Sequence, residues 1–505
     1  MSKPPLRWSF DLGFAPDADP AMPGVVADCL NVIPTERGMR PLGGTDPTWA
    51  DVTASPTFTS EQVVAVEAFD VGTLGSQYEY VGTGGHVYVR PTATGVFTDI
   101  SRTATYTAIG VNIWTFERSR NELIAAVGTD DFRGDLIGAM ALQSATFGTT
   151  NKLAAITAAP TCAIVTSAER FVLAFNGYAG NNDSWYCSER DNPLGWTLAP
   201  ATQCATGRLT EPVGPILGAK PFGNDVIAYK RDAMFLGRYT PGDPEVWKWS
   251  KLRHSVGVLA PRAVCVLPDG RHAFVGPESC YLFDGNNVVD VLDGKARRFY
   301  QQQRGVSFTE HQYVAVYDGL NQSVWFGFPI FGYTGMGVIV MHVATGKLGY
   351  AVLPAHTIGA VQDNLSPARV PVLYEFNHSR RFKFSYGTAD ELPPQGVNPA
   401  LYFQSPYIKS GDLGDPFDFI DINELHVDVV SASAAPSMDV ELLSRDGRYV
   451  ASETSTLGTP QGAAGERHAA RKSAHWHRVK VSPFVAMEVS GVWAQSAGRT
   501  GRRVT

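Results

Sequence analysis

Charge is scarce in this sequence: Asp, Glu, Lys and Arg make up 18% of 505 residues, with a formal net charge of −7. A protein that holds nucleic acid by neutralising phosphates needs a basic surface, so that class is disfavoured, although a protein that lets DNA slide past is not. Cysteine is also scarce. The six (Cys29, Cys162, Cys187, Cys204, Cys265, Cys280) form no CxxC pair, which argues against a disulfide framework and for buried free thiols. No run of about 18 uncharged apolar residues occurs, and MSKPPLRWSFDLGFAPDADP at the start has no continuous apolar stretch. The expectation is a soluble chain made in a reducing cytosol, without membrane insertion.

Helical periodicity is almost absent as well, and short runs of β-branched and aromatic residues bounded by Gly, Asp and Asn take its place. With 50 Gly, 33 Pro and 11% aromatics, the composition is turn-rich and predicts an all-β chain. Hairpins are legible at 78–90, 169–177, 224–239, 271–285, 313–329, 337–353 and 372–386. Lys230-Arg231-Asp232 and Gly276-Pro277-Glu278 separate alternating strands, and Asp318-Gly319 is expected to supply positive φ to the DGLNQ turn. Hairpins begin near 78, 121, 169, 224, 271, 313 and 372, the spacing of four-stranded propeller blades, so a β-propeller of six or seven blades is expected. The alternative is a set of β-sandwiches.

The composition shifts at both ends. Residues 1–55 read as a loop-rich arm, 56–415 as the propeller, and 416–505 as a β-sandwich-like platform domain reached through a linker near 391–418. Arm and platform are expected to pack together, because appended domains commonly bring chain ends close. Residues 461–505 hold eight Lys/Arg (Arg467, Arg471, Lys472, Arg478, Lys480, Arg499, Arg502, Arg503) against Glu466 and Glu488, a net +6 that leaves −13 on the rest. Around Arg499, Arg502 and Arg503 there is no aromatic interleaving and no helical period, so these arginines are read as assembly contacts and not as readers of DNA.

No catalytic residue, cofactor site or metal site is assigned. Gly82-Thr83-Gly84-Gly85 joins two strands and opens no helix, so it is a turn and not a phosphate loop. His475 and His477 flank Trp476 on one strand face, but further ligands at supporting spacing are missing. The most distinctive segment is WYCSERDNPLGWT (185–197), where Trp185, Ser188, Asp191 and Trp196 are read as a structural motif: Asp191 accepting backbone N–H bonds, Trp196 packed beneath. Its Ser-to-Asp spacing is one residue longer than the Asp-box of sialidase propellers.

That segment resembles one common in the tail nozzle and packaged-DNA-stabilising (tail hub) proteins of short-tailed bacteriophages. The stretch 224–285, with its Gly-Val-Leu-Ala-Pro turn and closing Phe-Asp-Gly, is similar to the same family's next block. VYDGLNQSVWFGFP (316–329), AHWHRVKV and SAGRTGRR (496–503) resemble later ones in the same order. The resemblance implies a non-enzymatic virion protein assembled in the host bacterial cytoplasm. It further implies a hexameric ring docked on adaptor and portal-side proteins above and on a needle, spike or fibre below, sealing packaged double-stranded DNA and passing it without sequence-specific binding. The competing class is a propeller glycosidase or glycan-binding tail protein, which needs paired carboxylates some 5 to 10 Å apart for hydrolysis.

Overall fold

The computed structural model describes residues 6–19, 22, 24–42, 44–45, 63–70, 77–84, 86–91, 95–100, 114–119, 122–128, 134–141, 162–177, 182–242, 245–305, 312–332, 335–363, 366–375, 381–385, 402–405, 408–409, 420–432, 438–445, 454–458, 467–474, 476–483 and 487–498. The chain is all-β, in a propeller-like arrangement. Among the described residues there is one helix, Arg297–Gln303.

The hairpins extend into successive antiparallel meanders. Sheet 1 runs Val63–Asp70, Gln77–Thr83, Val87–Pro91 and Thr98–Asp99; sheet 2 runs Trp114–Ser119, Glu122–Gly128 and Gly134–Ala141. Sheet 3 is Cys162–Ala168, Phe171–Gly177, Ser184–Cys187 and Ala205–Arg208; sheet 4 is Gly218–Phe222, Asp225–Tyr229, Met234–Tyr239 and Trp247–Lys251. Sheet 5 is Val264–Val266, His272–Val275, Cys280–Phe283 and Val288–Asp290; sheet 6 is Val314–Asp318, Ser323–Pro329, Met336–His342 and Leu348–Leu353. Sheet 7 is Ala355–Asp363, Ser366–Glu375 and Arg381–Ser385, and its fourth strand is Gly44–Thr45 from the beginning of the chain. Each of the hairpin starts read from sequence falls in a different one of these sheets.

First strands of successive sheets stand side by side, and that of sheet 7 packs on that of sheet 1. Central strands are therefore covered on both faces: Phe171–Gly177, Ser323–Pro329 and Met336–His342 are buried at every position. The outer strand Trp247–Lys251 buries only Trp247. This is why the inner strands read as near-continuous apolar runs while the outer ones carry polar residues.

One turn differs from expectation. In the sheet 6 turn the positive φ falls on Gln322 (47°), not on Asp318-Gly319. Asp318 acts through its side chain instead: Oδ1 accepts the N–H groups of Leu320 (3.1 Å) and Asn321 (3.2 Å), a local bond that fixes the turn without glycine's freedom. A glycine is required elsewhere, in the turn between sheets 4 and 5. A Cβ on Gly257 would lie 1.8 Å from the Lys230 carbonyl oxygen, which the Val258 N–H approaches to 3.0 Å.

The two chain ends are laced together. Leu6–Ser9 pairs with Met487–Gly498, which also pairs with Ile420–Ala432; Asp28–Leu30 pairs with Tyr402–Gln404, and that strand with Trp476–Pro483. Tyr402–Gln404 and Ile408–Lys409 lie inside the stretch read as a linker, yet both pair with Trp476–Pro483. The strands Val32–Pro34 and Met39–Pro41 carry hydrogen bonding onward from sheet 6 to Met487–Gly498. At the helix start, Asp17 accepts the Arg298 N–H at 2.6 Å, tying the N-terminal segment to the sheet 5 to sheet 6 connection.

Candidate functional site

The motif at 185–197 sits on sheet 3 and is held by the two sheets beside it. Trp185 is 6% exposed, packs 5.7 Å from Trp249 of sheet 4, and lies over Gly207, where a Cβ would meet its ring at 2.7 Å. Trp196, 3% exposed, faces the other way, clustering with Ile124 and Ala126 of sheet 2 and Val165, Val172 and Ala174 of sheet 3; its Nε1 donates to the Pro193 carbonyl at 2.9 Å. Ser188 Oγ accepts the Val172 N–H (3.0 Å), and Asn192 Oδ1 accepts that of Leu194 (3.2 Å). Asp191 has a left-handed backbone (φ 68°), donates its own N–H to the Arg170 carbonyl at 2.9 Å, and pairs its carboxylate with Arg170 Nη1 at 3.1 Å. The segment is thus a wedge between blade-like sheets, in which Ser188 and Asn192 accept backbone N–H groups.

Two charged constellations went unnoticed in the sequence. The first lies where sheet 7 meets sheet 1. Glu79 and Arg381, 2% and 1% exposed, form a bidentate pair: Arg381 Nε is 3.0 Å from both carboxylate oxygens and Nη2 is 2.9 Å from Oε2. Tyr374 Oη donates to Oε1 at 2.7 Å and Arg90 Nη1 approaches Oε2 at 3.5 Å. Burial alone pushes the Glu79 carboxyl up, but Arg381 and Arg90 outweigh it and hold the group below the usual carboxylate range. Arg262, just before sheet 5, reaches across the axis to the same junction. Its Nη2 donates to the carbonyls of Val66 in sheet 1 (3.0 Å) and Ile358 in sheet 7 (2.6 Å), and Nη1 to Thr357 Oγ1.

The second constellation lines an axial cavity of about 260 Å³ between the first strands of several sheets. Glu67, Glu117, Lys220, Arg262 and Arg369 face it together with Phe69, Phe116 and Tyr317. Glu117 accepts a 2.8 Å bond from Ser167 Oγ, and burial pushes its carboxyl up to about 7, Lys220 and Ser167 opposing the rise and Glu67 adding to it. The available signal was local: Glu67 in VVAVEAFD, Glu79 in QYEYVGT and Glu117 in WTFERS each interrupt an apolar strand.

Other sequence candidates separate. His477 is buried and hydrogen-bonded through Nδ1 to Ser444 Oγ at 2.8 Å, while His475 lies outside the described residues. Among the described residues, no group of three or more His, Cys, Asp or Glu is arranged to hold a metal ion. Among the described residues, no helix is long and apolar enough to cross a membrane. Lys480 is engaged within the chain, 3.8 Å from Glu441 and over the Tyr402 ring. Arg499, Arg502 and Arg503 lie outside the described residues.

No protein-family model and no curated protein matches the chain.

Proposed function

We propose that the chain is a structural virion protein, the nozzle or hub of a short phage tail, acting as a rigid ring component and not as an enzyme. In this reading the propeller-like body is a seven-bladed ring, residues 1–55 and 416–505 make the platform, and six copies surround the DNA path between adaptor above and needle, spike or fibre below. In this reading Gly44–Thr45, which pairs with Arg381–Ser385, is counted with the last blade, and Tyr402–Gln404 and Ile408–Lys409, which pair with Trp476–Pro483, with the platform.

The observation that carries the reading is closure. The last sheet takes its outer strand from residues near the start of the chain, and both chain ends share sheets beyond it. A closed circuit of packed sheets with buried inner strands suits a part that must resist internal pressure without peeling. The acidic body, net −7 overall, suits a surface past which DNA must slide without sticking. Supporting this, the resembling segments 185–197, 224–285 and 316–329 fall in order on sheets 3, 4 with 5, and 6.

Native mass spectrometry and negative-stain imaging of the purified chain, alone and mixed with disrupted particles, test it. Six-fold rings with an open centre are expected. A strict monomer that decorates no particle and turns over polysaccharide would establish the glycan-active class instead.

A further inference from the structure

We propose that the axial cavity is a binding site for a small monocarboxylic acid with a compact apolar body, the carboxylate held by Lys220 and the body laid against Phe69 and Phe116. The inference is independent of the assembly reading. It rests on the size, charge and unspent groups of the cavity. At about 260 Å³ the space is larger than a packing defect, and apolar side chains (Val264, Val266, Ala315) alternate with charged ones around it.

Three cations, Lys220, Arg262 and Arg369, face two carboxylates, Glu67 and Glu117, so the lining favours an anion. Arg262 is spent on the Val66 and Ile358 carbonyls. Among the described residues, Lys220 makes no side-chain hydrogen bond or ion pair, although it lines the cavity; its charge acts on Glu117 only at a distance. Lys220 is half-buried, and a cation beside apolar walls gains more from an anionic partner than one on the open surface.

Glu117 makes the site pH-sensitive. It stands beside the cavity with its carboxyl raised to about 7, so on acidification it loses a charge that repels the ligand and gains a proton it can donate. The other groups facing the cavity are the charges of Glu67, Lys220, Arg262 and Arg369, and Tyr317 and Cys265, whose pKa values burial raises so that both stay protonated across this range. Binding should therefore tighten as the pH falls from 8 to 6.

Isothermal titration calorimetry on the full chain tests this with benzoate, benzamide (the same shape uncharged) and acetate (the charge without the body). Benzoate should give saturable heat, with benzamide and acetate each at least about tenfold weaker, one decade being 1.4 kcal/mol. Lys220→Met should weaken benzoate by a similar factor and Lys220→Arg should restore it. Glu117→Gln should bind benzoate with its dependence on pH flattened. Absence of saturable benzoate heat, or equal binding of benzoate and benzamide by the unmodified chain, would overturn the proposal without reliance on any variant.

Discussion

The junction between sheets 3 and 4 and the junction between sheets 7 and 1 perform the same task with different chemistry. Between sheets 3 and 4 the contact is aromatic: Phe171 packs edge-on to Trp247 at 5.8 Å, Phe175 edge-on to Trp249 at 5.7 Å, and Trp185 against Trp249. The junction of sheets 7 and 1 also has an apolar cluster, including Val66, Val81, Val361 and Val372, but adds the buried Glu79–Arg381–Tyr374 lock and the Arg262 clasp. Chain connectivity explains the difference. Sheets 3 and 4 follow one another along the chain, so apolar burial, which is strong and non-directional, suffices. Glu79 and Arg381 are 302 positions apart, and nothing local sets how the ends of the circuit meet. Directional, geometry-demanding bonds select one register there, a use of buried ion pairs that goes beyond stability.

Breaking the lock is the most severe test. Glu79→Ala or Arg381→Ala leaves its partner charged and buried, and each is expected to cost about 3–5 kcal/mol in urea unfolding. The double variant should fall short of the sum by about 0.5–3 kcal/mol, because the second change removes the charge that the first orphaned. Strictly additive losses would mean that the pair does not act as a unit, and the contrast between the junctions would fail.

On the aromatic side, Trp185→Ala and Trp196→Ala are each expected to cost about 3–5 kcal/mol, the range for emptying a large buried aromatic site. The two should be nearly additive, since one ring faces sheet 4 and the other sheet 2. Unchanged melting temperatures for both variants would remove the wedge role assigned to the segment.

Acid separates the buried histidines from the lock by pH window. His272 in sheet 5 accepts from Tyr229 Oη of sheet 4 at 2.6 Å and holds the Pro221 carbonyl at 2.8 Å, and burial lowers its pKa to about 4; His356 in sheet 7 is lowered to about 4 by burial as well. For a histidine lowered on folding, the unfolded chain binds the proton first. Stability is therefore lost as the pH falls from about 6.5 to 4, by up to about 3 kcal/mol for each histidine. Glu79, also lowered on folding, loses its contribution as the pH falls from the ordinary carboxylate value towards its lowered one, a window below that of the histidines. Glu117, raised to about 7 on folding, binds its proton first in the folded chain and so opposes the histidines over the same range by about as much as one of them. Urea midpoints from pH 7 to 4 should therefore slope downward by the difference, and His272→Gln should remove most of that slope; an unaltered slope would place the acid sensitivity elsewhere.

What the sequence made legible follows the same division. Hairpins at 224–239 and 271–285 were readable because Lys230-Arg231-Asp232 and Gly276-Pro277-Glu278 lie between strands only a few residues away. The buried tryptophans were readable from bulk and context. The lock was not, because neither Glu79 nor Arg381 carries any mark of a partner 302 positions distant. Gly44–Thr45 as an outer strand, and Tyr402–Gln404 as a strand inside a linker-like stretch, were hidden for the same reason: their pairing is set by tertiary placement, not by local propensity. At the DGLNQ turn the sequence signal was sound but the mechanism was not, since the Asp318 carboxylate and not a glycine φ sets the bend.

The smallest effect on the single chain, and the extension of the comparison to contacts between copies, belongs to Arg499, Arg502 and Arg503. If directional charge pairs join surfaces that connectivity does not bring together, a basic tail on an acidic chain is suited to the same role between subunits. Ser496 and Gly498 still pair with Ile422 and Asp421, so a clean truncation starts at 499. Removing 499–505 should leave far-UV circular dichroism and melting unchanged. Any one arginine replaced by Ala should change stability by no more than about 0–1 kcal/mol, the range for exposed ion pairs. Around a ring the weak pairs add by multivalency, so the truncated chain should assemble less well, and raised salt should shrink the gap between truncated and full-length chains as it screens the lost pairs. Sedimentation at low and high salt reads this directly; equal assembly of the two chains at low salt would assign the tail no part in joining copies.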